Sequence, residues 1–305
     1  MLSLYKLEVF NAVVENGSFS AAADRLFMSQ PAVSQHIHDL EVSLGIRLFD
    51  RGGRGVTPTA QGLVLYDYAQ QIFKLLAEAE NALVDVEHLE SGQTTLAATP
   101  GVSVYLLPDW IGTFRARYPR LSVSLQTGIT SQVITDVLAH RADAGFVEGE
   151  LDDSPPARLG VLDLEVVEQY VVVGPKHAWW ERERVPLPAL AEQTMIVRPP
   201  RSQSRIWLDA VLDRHALHPR IGAEFDNLES IKRSLMAGSC VSVLPGYVVR
   251  HDIELGLLHT VAVEGAPLQR TLKLLWDKDR SFSPITRALL RHLRDDLPSL
   301  VTLAL

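Results

Sequence analysis

Cysteine is almost absent from this chain of 305 residues, which contains Cys240 alone. A single thiol excludes an intramolecular disulfide and any metal site built from cysteines. Val241, Val243 and Leu244 follow Cys240, and such an apolar run is typical of a buried strand. Because a buried thiol resists ionisation, we interpret Cys240 as a small core residue rather than a redox sensor.

Long apolar runs are missing as well. No stretch approaches the roughly 18 residues that a membrane-spanning helix needs. Glu8 and Glu15 interrupt the apolar positions near the N-terminus, where a signal peptide would need an unbroken apolar segment. These features predict a cytoplasmic protein with no membrane partner.

Positive charge is in deficit, with 29 lysines and arginines against 37 aspartates and glutamates. The resulting net charge of −8 argues against non-specific binding of nucleic acid by the chain as a whole. A local DNA-binding face remains open, since the field close to the phosphates is the one that matters.

The motifs of common catalytic sites are also absent. The sequence contains no HExxH zinc motif, no GxxxxGK phosphate-binding loop and no GxSxG nucleophile turn. The histidines are scattered without metal-ligand spacing. We therefore expect neither a metal nor a catalytic cofactor.

Residues 1–58 have the pattern of three short helices followed by a hairpin or wing. Ser18 and Ser29 are placed to cap the second and third helices. Pro31 lies in the first turn of the third helix, where its missing N–H does no harm. Two helices of this length joined by a tight turn predict a helix-turn-helix, whose second helix enters the DNA major groove.

The third helix has an apolar face and, opposite to it, a stripe of short or planar hydrogen-bonding groups that suit base edges. The predicted DNA contacts are Ser29, Gln30, Pro31, Ser34, Gln35 and His38 on the helix, with Arg51 and Arg54 on the wing. Either glutamine would pair with adenine, while the serine at 34 or the proline ring would touch a phosphate or a thymine methyl. The wing arginines would lie over the backbone. A merely solvated helix face is the alternative.

Residues 59–91 carry an almost unbroken helical pattern, which predicts a linker helix. The apolar heptad positions are Leu65, Tyr68, Ile72, Leu75, Ala79, Ala82, Val86 and Leu89. Thirty residues of helix span about 45 Å, too long to be covered by a small domain, and such a seam joins two helices in a coiled coil. We predict dimerisation; the alternative is a helix packed along its own C-terminal domain.

Residues 92–305 alternate strand-like and helix-like runs, as an α/β domain with mainly parallel strands does. Two extended runs, LEVVEQYVVVG and RTLKLLW, would pair as hinge strands between two lobes. We place lobe I at residues 92–164 and 268–305, and lobe II at residues 165–267. The whole chain is thus predicted to be a multidomain α+β protein.

Ligands of open α/β sheets bind beyond the carboxyl ends of the strands, near helix N-termini. In lobe I the predicted effector-binding residues at such ends are Thr99, Gly101, Ser103, Thr130, Ser131 and Glu148. In lobe II they are Arg198, Arg201, Ser202, Gln203, Ser204 and Arg205. Three arginines around a hydroxyl-rich helix start indicate an anion site. An ordinary capped helix with surface arginines is the alternative.

Many fixed spacings connect these segments to a known family. They are Gly17-Ser18-Phe19, Ala22-Ala23, Ser29-Gln30, Val33-Ser34, Leu40-Glu41, Leu48-Phe49-Asp50-Arg51, Thr57-Pro58 and Gly62. In this pattern the chain resembles the N-terminal domain of LysR-type transcriptional regulators. The segments YLLP and FVEG are similar to those of the subgroup associated with carbon fixation and sulfur assimilation, which senses small phosphorylated or sulfur-containing anions.

The resemblance implies a winged helix-turn-helix, a dimerising linker helix and a two-lobed effector domain like a type 2 periplasmic binding protein. It places Gln30, Pro31, Ser34 and His38 in the groove; the family usually has basic residues where this chain has Gln35 and His38. The implied partners are double-stranded DNA, a small effector, further copies of the chain in a homotetramer, and RNA polymerase.

Two other classes of protein use two-lobed α/β domains. A cytoplasmic enzyme would need catalytic motifs that the sequence lacks, and a solute-binding protein would leave residues 1–91 unexplained. Sequence-specific DNA binding distinguishes a regulator from both classes. We therefore interpret the chain as a DNA-binding transcriptional regulator that responds to a small anion, and not as an enzyme.

Overall fold

The structure, a computed structural model, describes residues 2–50, 56–82, 92–151, 155–265 and 267–303. The chain divides into two compact units, residues 1–83 and 84–305, which we call the N-terminal and C-terminal units. Within the described ranges, no helix is long and apolar enough to cross a membrane.

The N-terminal unit is built from helices and a two-stranded ladder. Its elements are α1 (Leu4–Asn16), α2 (Phe19–Arg25), α3 (Gln30–Leu44), β1 (Phe49–Asp50), β2 (Thr57–Pro58) and α4 (Ala60–Ala82). β1 and β2 pair antiparallel, as the predicted hairpin requires. Residues 51–55, between the two strands, lie outside the described residues.

Local signals set the ends of the short helices. The hydroxyls of Ser18 and Ser29 accept hydrogen bonds from the N–H groups of the first turns of α2 and α3. α1 and α3 end at Gly17 and Gly45, whose φ angles of 61° and 68° lie in the left-handed region that favours glycine. These caps therefore set the bounds of the helices in the predicted helix-turn-helix.

The three short helices share one buried cluster, which also fixes β1. The largest of its fully buried side chains are Phe10, Ile37, Leu40, Leu48 and Phe49. Glu41 Oε1 accepts the N–H groups of Leu48 and Phe49 at 2.7 and 3.4 Å. A side chain of α3 thus ties the start of the wing to the helix.

The C-terminal unit continues the element order of the chain. Its first half contains β3 (Gly92–Ala98), α5 (Pro100–Tyr105), α6 (Leu107–Arg117), β4 (Leu121–Thr127), α7 (Thr130–Leu138), β5 (Ala144–Glu148), β6 (Leu159–Val173) and β7 (Arg184–Pro186). The second half contains β8 (Thr194–Val197), α8 (Gln203–Arg214), β9 (Arg220–Glu224), α9 (Leu228–Ala237), β10 (Val241–Pro245), α10 (Gly246–Glu254), β11 (His259–Glu264), β12 (Leu268–Asp277) and α11 (Pro284–His292).

One sheet runs through this unit in the order β4-β3-β5-β12-β6-β10-β8-β9. The predicted hinge strands correspond to β6 and β12, which pair antiparallel with a register shift between Leu272 and Lys273. β3 is parallel to β4 and β5, and β8 is parallel to β9 and β10. The sheet is mixed rather than mainly parallel, because the crossing strands run antiparallel to β5 and β10.

The buried residues form separate clusters on the two sides of the crossing strands. Tyr247 of α10 packs against a cluster of each side, and Tyr105 of α5 packs against the cluster that contains α9 residues. Cys240 lies in that second cluster, where burial raises the pKa of its thiol. Two tyrosines therefore connect the halves of this unit beside the crossing strands.

Candidate functional site

α3 presents one polar face, and the structure brings six of the predicted DNA-contacting residues together there. Ser29, Gln30, Pro31, Gln35 and His38 are exposed and Ser34 is half-buried. The opposite face, with Val33, Ile37 and Leu40, is buried. Arg51 and Arg54 lie outside the described residues.

The N-terminal end of α3 supplies positive potential without basic side chains. Its first turn contains no acidic residue, and unpaired N–H groups at a helix start favour an anion. Further along, Gln35 Nε2 donates to Asp39 Oδ1 at 2.7 Å, and Asp39 lies 3.7 Å from Lys6 Nζ. The side-chain amide of Gln35 is therefore oriented by its hydrogen bond to Asp39.

α4 exposes an apolar face. Tyr68 is 61% exposed, Leu75 54% and Ile72 37%, and Ala79 is also exposed. Leu65 differs, since it packs against the core of its own unit. Of the remaining predicted seam positions, Ala82 is the last residue of α4, and Val86 and Leu89 lie outside the described residues.

A cavity that is partly open to solvent lies between the lobes at the carboxyl ends of the strands. The predicted residues that line it are Thr99, Gly101, Thr130, Glu148, Arg198, Ser202, Gln203 and Ser204. The other lining residues, which were not among the predicted effector contacts, are Pro100, Ile129, Gln169, Trp207, Leu228, Val243, Leu244, Pro245, Tyr247 and Arg270.

Four predicted residues do not line this cavity. Ser103 is a buried residue of α5, and its hydroxyl donates to the Pro100 carbonyl at 3.2 Å. Arg205 turns away because its Nε lies 2.8 Å from Asp209 and its Nη1 3.1 Å from Glu224. Ser131 and Arg201 are exposed outside the lining.

Glu148 is neutralised at the floor of the cavity. Arg270 donates from Nη1 to Glu148 Oε1 and from Nη2 to its backbone carbonyl, both at 2.7 Å. Gln169 Nε2 donates to the same Oε1 at 3.1 Å, and the Tyr247 hydroxyl donates to Oε2. The carboxylate therefore does not repel an anion as an isolated charge would.

Tyr247 reaches across from lobe II to this carboxylate. Burial and the neighbouring Glu148 raise the pKa of Tyr247, so its hydroxyl keeps its proton and acts as a donor. A Cβ at Gly101 would lie 2.9 Å from that hydroxyl. Glycine at position 101 thus allows the two lobes to approach closely at the cavity.

Three buried polar atoms of the lining have no hydrogen-bond partner among the residues that the structure describes. They are Thr130 Oγ1, Arg198 Nη1 and Arg270 Nε. Burial lowers the pKa of Arg198, with a smaller opposing effect of Asp226, yet a guanidinium stays charged in proteins. Since buried polar groups are normally paired, three unpaired donors around one cavity indicate a place for an anionic ligand.

A helix-turn-helix and a two-lobed ligand-binding unit in one chain define the class of ligand-responsive DNA-binding regulators. The family model described as "Bacterial regulatory helix-turn-helix protein, lysR family" matches residues 4–63, and that described as "LysR substrate binding domain" matches residues 87–298. The chain belongs to the LysR family of transcriptional regulators, as its sequence pattern predicted.

Its relatives carry names of the same kind. A probable RuBisCO transcriptional regulator from Guillardia theta is 30% identical over 91% of each chain. The HTH-type transcriptional activator CmpR from Synechocystis sp. is 29% identical over 95% of this chain and 94% of the relative. These relatives are named as regulators and not as enzymes, which confirms the regulator interpretation over the enzyme alternative.

Solved structures share the fold. Full-length CbnR complexed with its target DNA superimposes with a TM-score of 0.71 at 22% identity, covering 96% of this chain and 99% of that one. Full-length OxyR from Pseudomonas aeruginosa gives a TM-score of 0.70 at 20% identity, covering 100% and 96%. These structures confirm the predicted fold, and the two family matches confirm the predicted order of helix-turn-helix and substrate-binding domain.

Proposed function

We propose that a small anion bound between the lobes controls how the chain binds or bends DNA. One observation carries this proposal: Thr130, Arg198 and Arg270 all line one cavity, and each has a buried donor atom without a hydrogen-bond partner among the described residues. Unpaired buried donors are costly, so a ligand that accepts their hydrogen bonds stabilises the unit that holds them.

We propose that the polar face of α3 reads DNA sequence. Gln30 and Ser34 would contact base edges, because they lie on the polar face of α3 in the first half of the helix. Arg51 and Arg54 would contact the phosphate backbone of the DNA. Arg51→Ala should therefore weaken binding to all DNA similarly and should reduce the slope of log binding constant against log salt concentration by about one.

We propose that two copies pair along α4. The exposed Tyr68, Ile72 and Leu75 support this pairing, since an apolar stripe of this spacing is stable when a second helix covers it. We further propose that two such dimers pair into a tetramer and that RNA polymerase is another partner. We also propose a cytoplasmic location.

Effector binding would reach the DNA through geometry. The lobes meet along β6 and β12, so a ligand that prefers one lobe angle shifts the population towards that angle. In a dimer or tetramer the angle would set the spacing of the DNA-binding units. A change of half-site spacing alters DNA bending even where affinity is unchanged.

The test begins with DNA selected from a random pool by the full-length protein. Footprint and bend angle are then measured with and without an anion, taken from a thermal-shift screen of carboxylates and phosphate esters. We expect the anion to change the footprint or the bend, and Arg198→Gln to abolish that change. An unchanged footprint and bend with anion bound would contradict the proposal.

A further inference from the structure

We propose that the effector is a singly charged carboxylate with an apolar body, rather than a phosphorylated molecule. The inference rests on the proposed effector function of the inter-lobe cavity. It is drawn from three properties of the lining: its charge, its number of unpaired donors and the nature of its walls.

The charge of the lining suits one negative charge. The charged residues among the described lining are Glu148, Arg198 and Arg270, which sum to a single positive charge. Asp226 lies close enough to affect Arg198, and it adds only negative charge. A carboxylate carries one negative charge near neutral pH, whereas a phosphate monoester carries about 1.5 to 2. A phosphate ester would therefore leave excess negative charge in a partly buried site.

The unpaired donors also match a carboxylate. Thr130 Oγ1 and Arg270 Nε each carry one hydrogen and Arg198 Nη1 carries two, so these buried atoms can together donate four hydrogen bonds. Two carboxylate oxygens provide about four acceptor positions, which these donors match. The three terminal oxygens of a phosphate would need more donors than these buried atoms supply.

The walls favour an apolar body over a polyol. Ile129, Trp207, Leu228, Val243 and Leu244 line the cavity, and the Arg270 guanidinium lies 5.7 Å from the centre of the Trp207 ring.

The serine hydroxyls at the start of α8 already have hydrogen-bond partners within the protein. Ser202 Oγ donates to the Pro199 carbonyl at 3.0 Å and lies 3.4 Å from Ser204 Oγ. The hydroxyl groups of a sugar would thus lose water without finding equal partners, while an aromatic or aliphatic body would gain from contact with the apolar wall.

The test compares matched pairs of probes on the full-length protein: benzoate against phenyl phosphate, and hexanoate against hexyl phosphate. Binding is measured by titration calorimetry and by tryptophan fluorescence, to which Trp207 of the lining contributes. We expect each carboxylate to bind at least about tenfold more tightly than its phosphate partner. Arg198→Gln should abolish carboxylate binding and Thr130→Val should weaken it, while the matched control Arg201→Gln, outside the cavity, should bind as the wild type does.

A second variant tests the charge argument itself. Glu148→Gln removes the negative charge of the lining but keeps an amide that can accept from Arg270 and donate to a neighbour. We expect the ratio of carboxylate to phosphate affinity to fall at least about tenfold in this variant, in a protein that still unfolds cooperatively.

The outcomes separate this inference from the function on which it rests. Tighter binding of the phosphates, with the same dependence on Arg198, would overturn the carboxylate class and leave the cavity as the effector site. Carboxylate binding that Arg198→Gln does not affect would overturn both. Failure of both carboxylates to bind at millimolar concentration would overturn the class.

Discussion

Replacing Lys232 by methionine should destabilise the C-terminal unit strongly. Lys232 of α9 is only 5% exposed, and its Nζ lies 2.7 Å from both Asp252 Oδ2 and Glu229 Oε1. Tyr105 of α5 joins the same network, since its hydroxyl donates to Glu229 Oε1 at 2.5 Å and its ring centre lies 5.0 Å from Nζ. The network thus ties lobe I to lobe II beside the cavity.

The magnitude follows from the charge that is left behind. Asp252 is 8% exposed, so its carboxylate would remain in the interior without a cation. Removing one partner of a buried ion pair costs about 3–5 kcal/mol. For a unit of this size, that loss lowers the melting temperature by roughly 6–20 °C.

Tryptophan fluorescence is a direct assay for this unit within the full chain. All five tryptophans lie between residues 110 and 276, so their fluorescence reports unfolding of the C-terminal unit alone. Urea titrations of the wild type and of Lys232→Met give the difference in free energy of unfolding.

The double variant Lys232→Met/Asp252→Leu is the matched control. It removes both charges, so it should recover most of the lost stability. A loss below about 1 kcal/mol in the single variant, the value of an exposed pair, would refute the reasoning. So would a double variant no more stable than the single one.

Three further predictions concern other parts of the chain. Nδ1 of His177 accepts a hydrogen bond from the Trp179 N–H at 3.1 Å. Burial lowers the pKa of His177, with a smaller opposing effect of a hydrogen bond to Gln193. The stability of the C-terminal unit, monitored by fluorescence, should therefore fall as the pH drops below about 6.5, and it should fall less in His177→Gln. Gly174→Ala places a Cβ 1.9 Å from a backbone oxygen of α9 and should abolish cooperative unfolding of the C-terminal unit by fluorescence. Glu41→Ala leaves the N–H groups of Leu48 and Phe49, at the start of β1, without this acceptor, and circular dichroism should show the N-terminal unit destabilised by about 1–3 kcal/mol.

The sign of the His177 prediction comes from linkage. The pKa of His177 is lower in the folded state than in the unfolded chain, so the unfolded state binds more protons below the ordinary pKa. Stability contributed by the neutral ring is complete above that pKa and is lost as the pH falls towards the folded-state pKa. Protonation also places a proton on Nδ1, which faces the Trp179 N–H.

The DNA-binding unit could be predicted from sequence because its signals are local. Ser29 caps α3, Pro31 fits its first turn, and Val33, Ile37 and Leu40 recur at the helical spacing on the buried face. Each signal acts within one or two turns of chain. The polar face opposite follows without knowledge of any distant contact.

The effector cavity could be predicted only in part, because its decisive groups come from distant segments. Glu148 was expected at a strand end, but its partners Gln169, Tyr247 and Arg270 reach it from β6, α10 and β12. Which strands pair decides that meeting, and no local pattern shows it. Arg205, expected at the cavity, is instead held by an acidic residue one helical turn away and by another on β9.

The central claim is that the chain reads DNA sequence through α3. Its most direct test is the ratio of affinities for the selected DNA and for a shuffled sequence, measured by fluorescence anisotropy at fixed salt. We predict that Gln30→Ala and Ser34→Ala each lower this ratio at least about tenfold, while Ser43→Ala, at the far end of the same helix, leaves it unchanged. Equal loss of affinity for both DNAs in Gln30→Ala and Ser34→Ala would contradict the account.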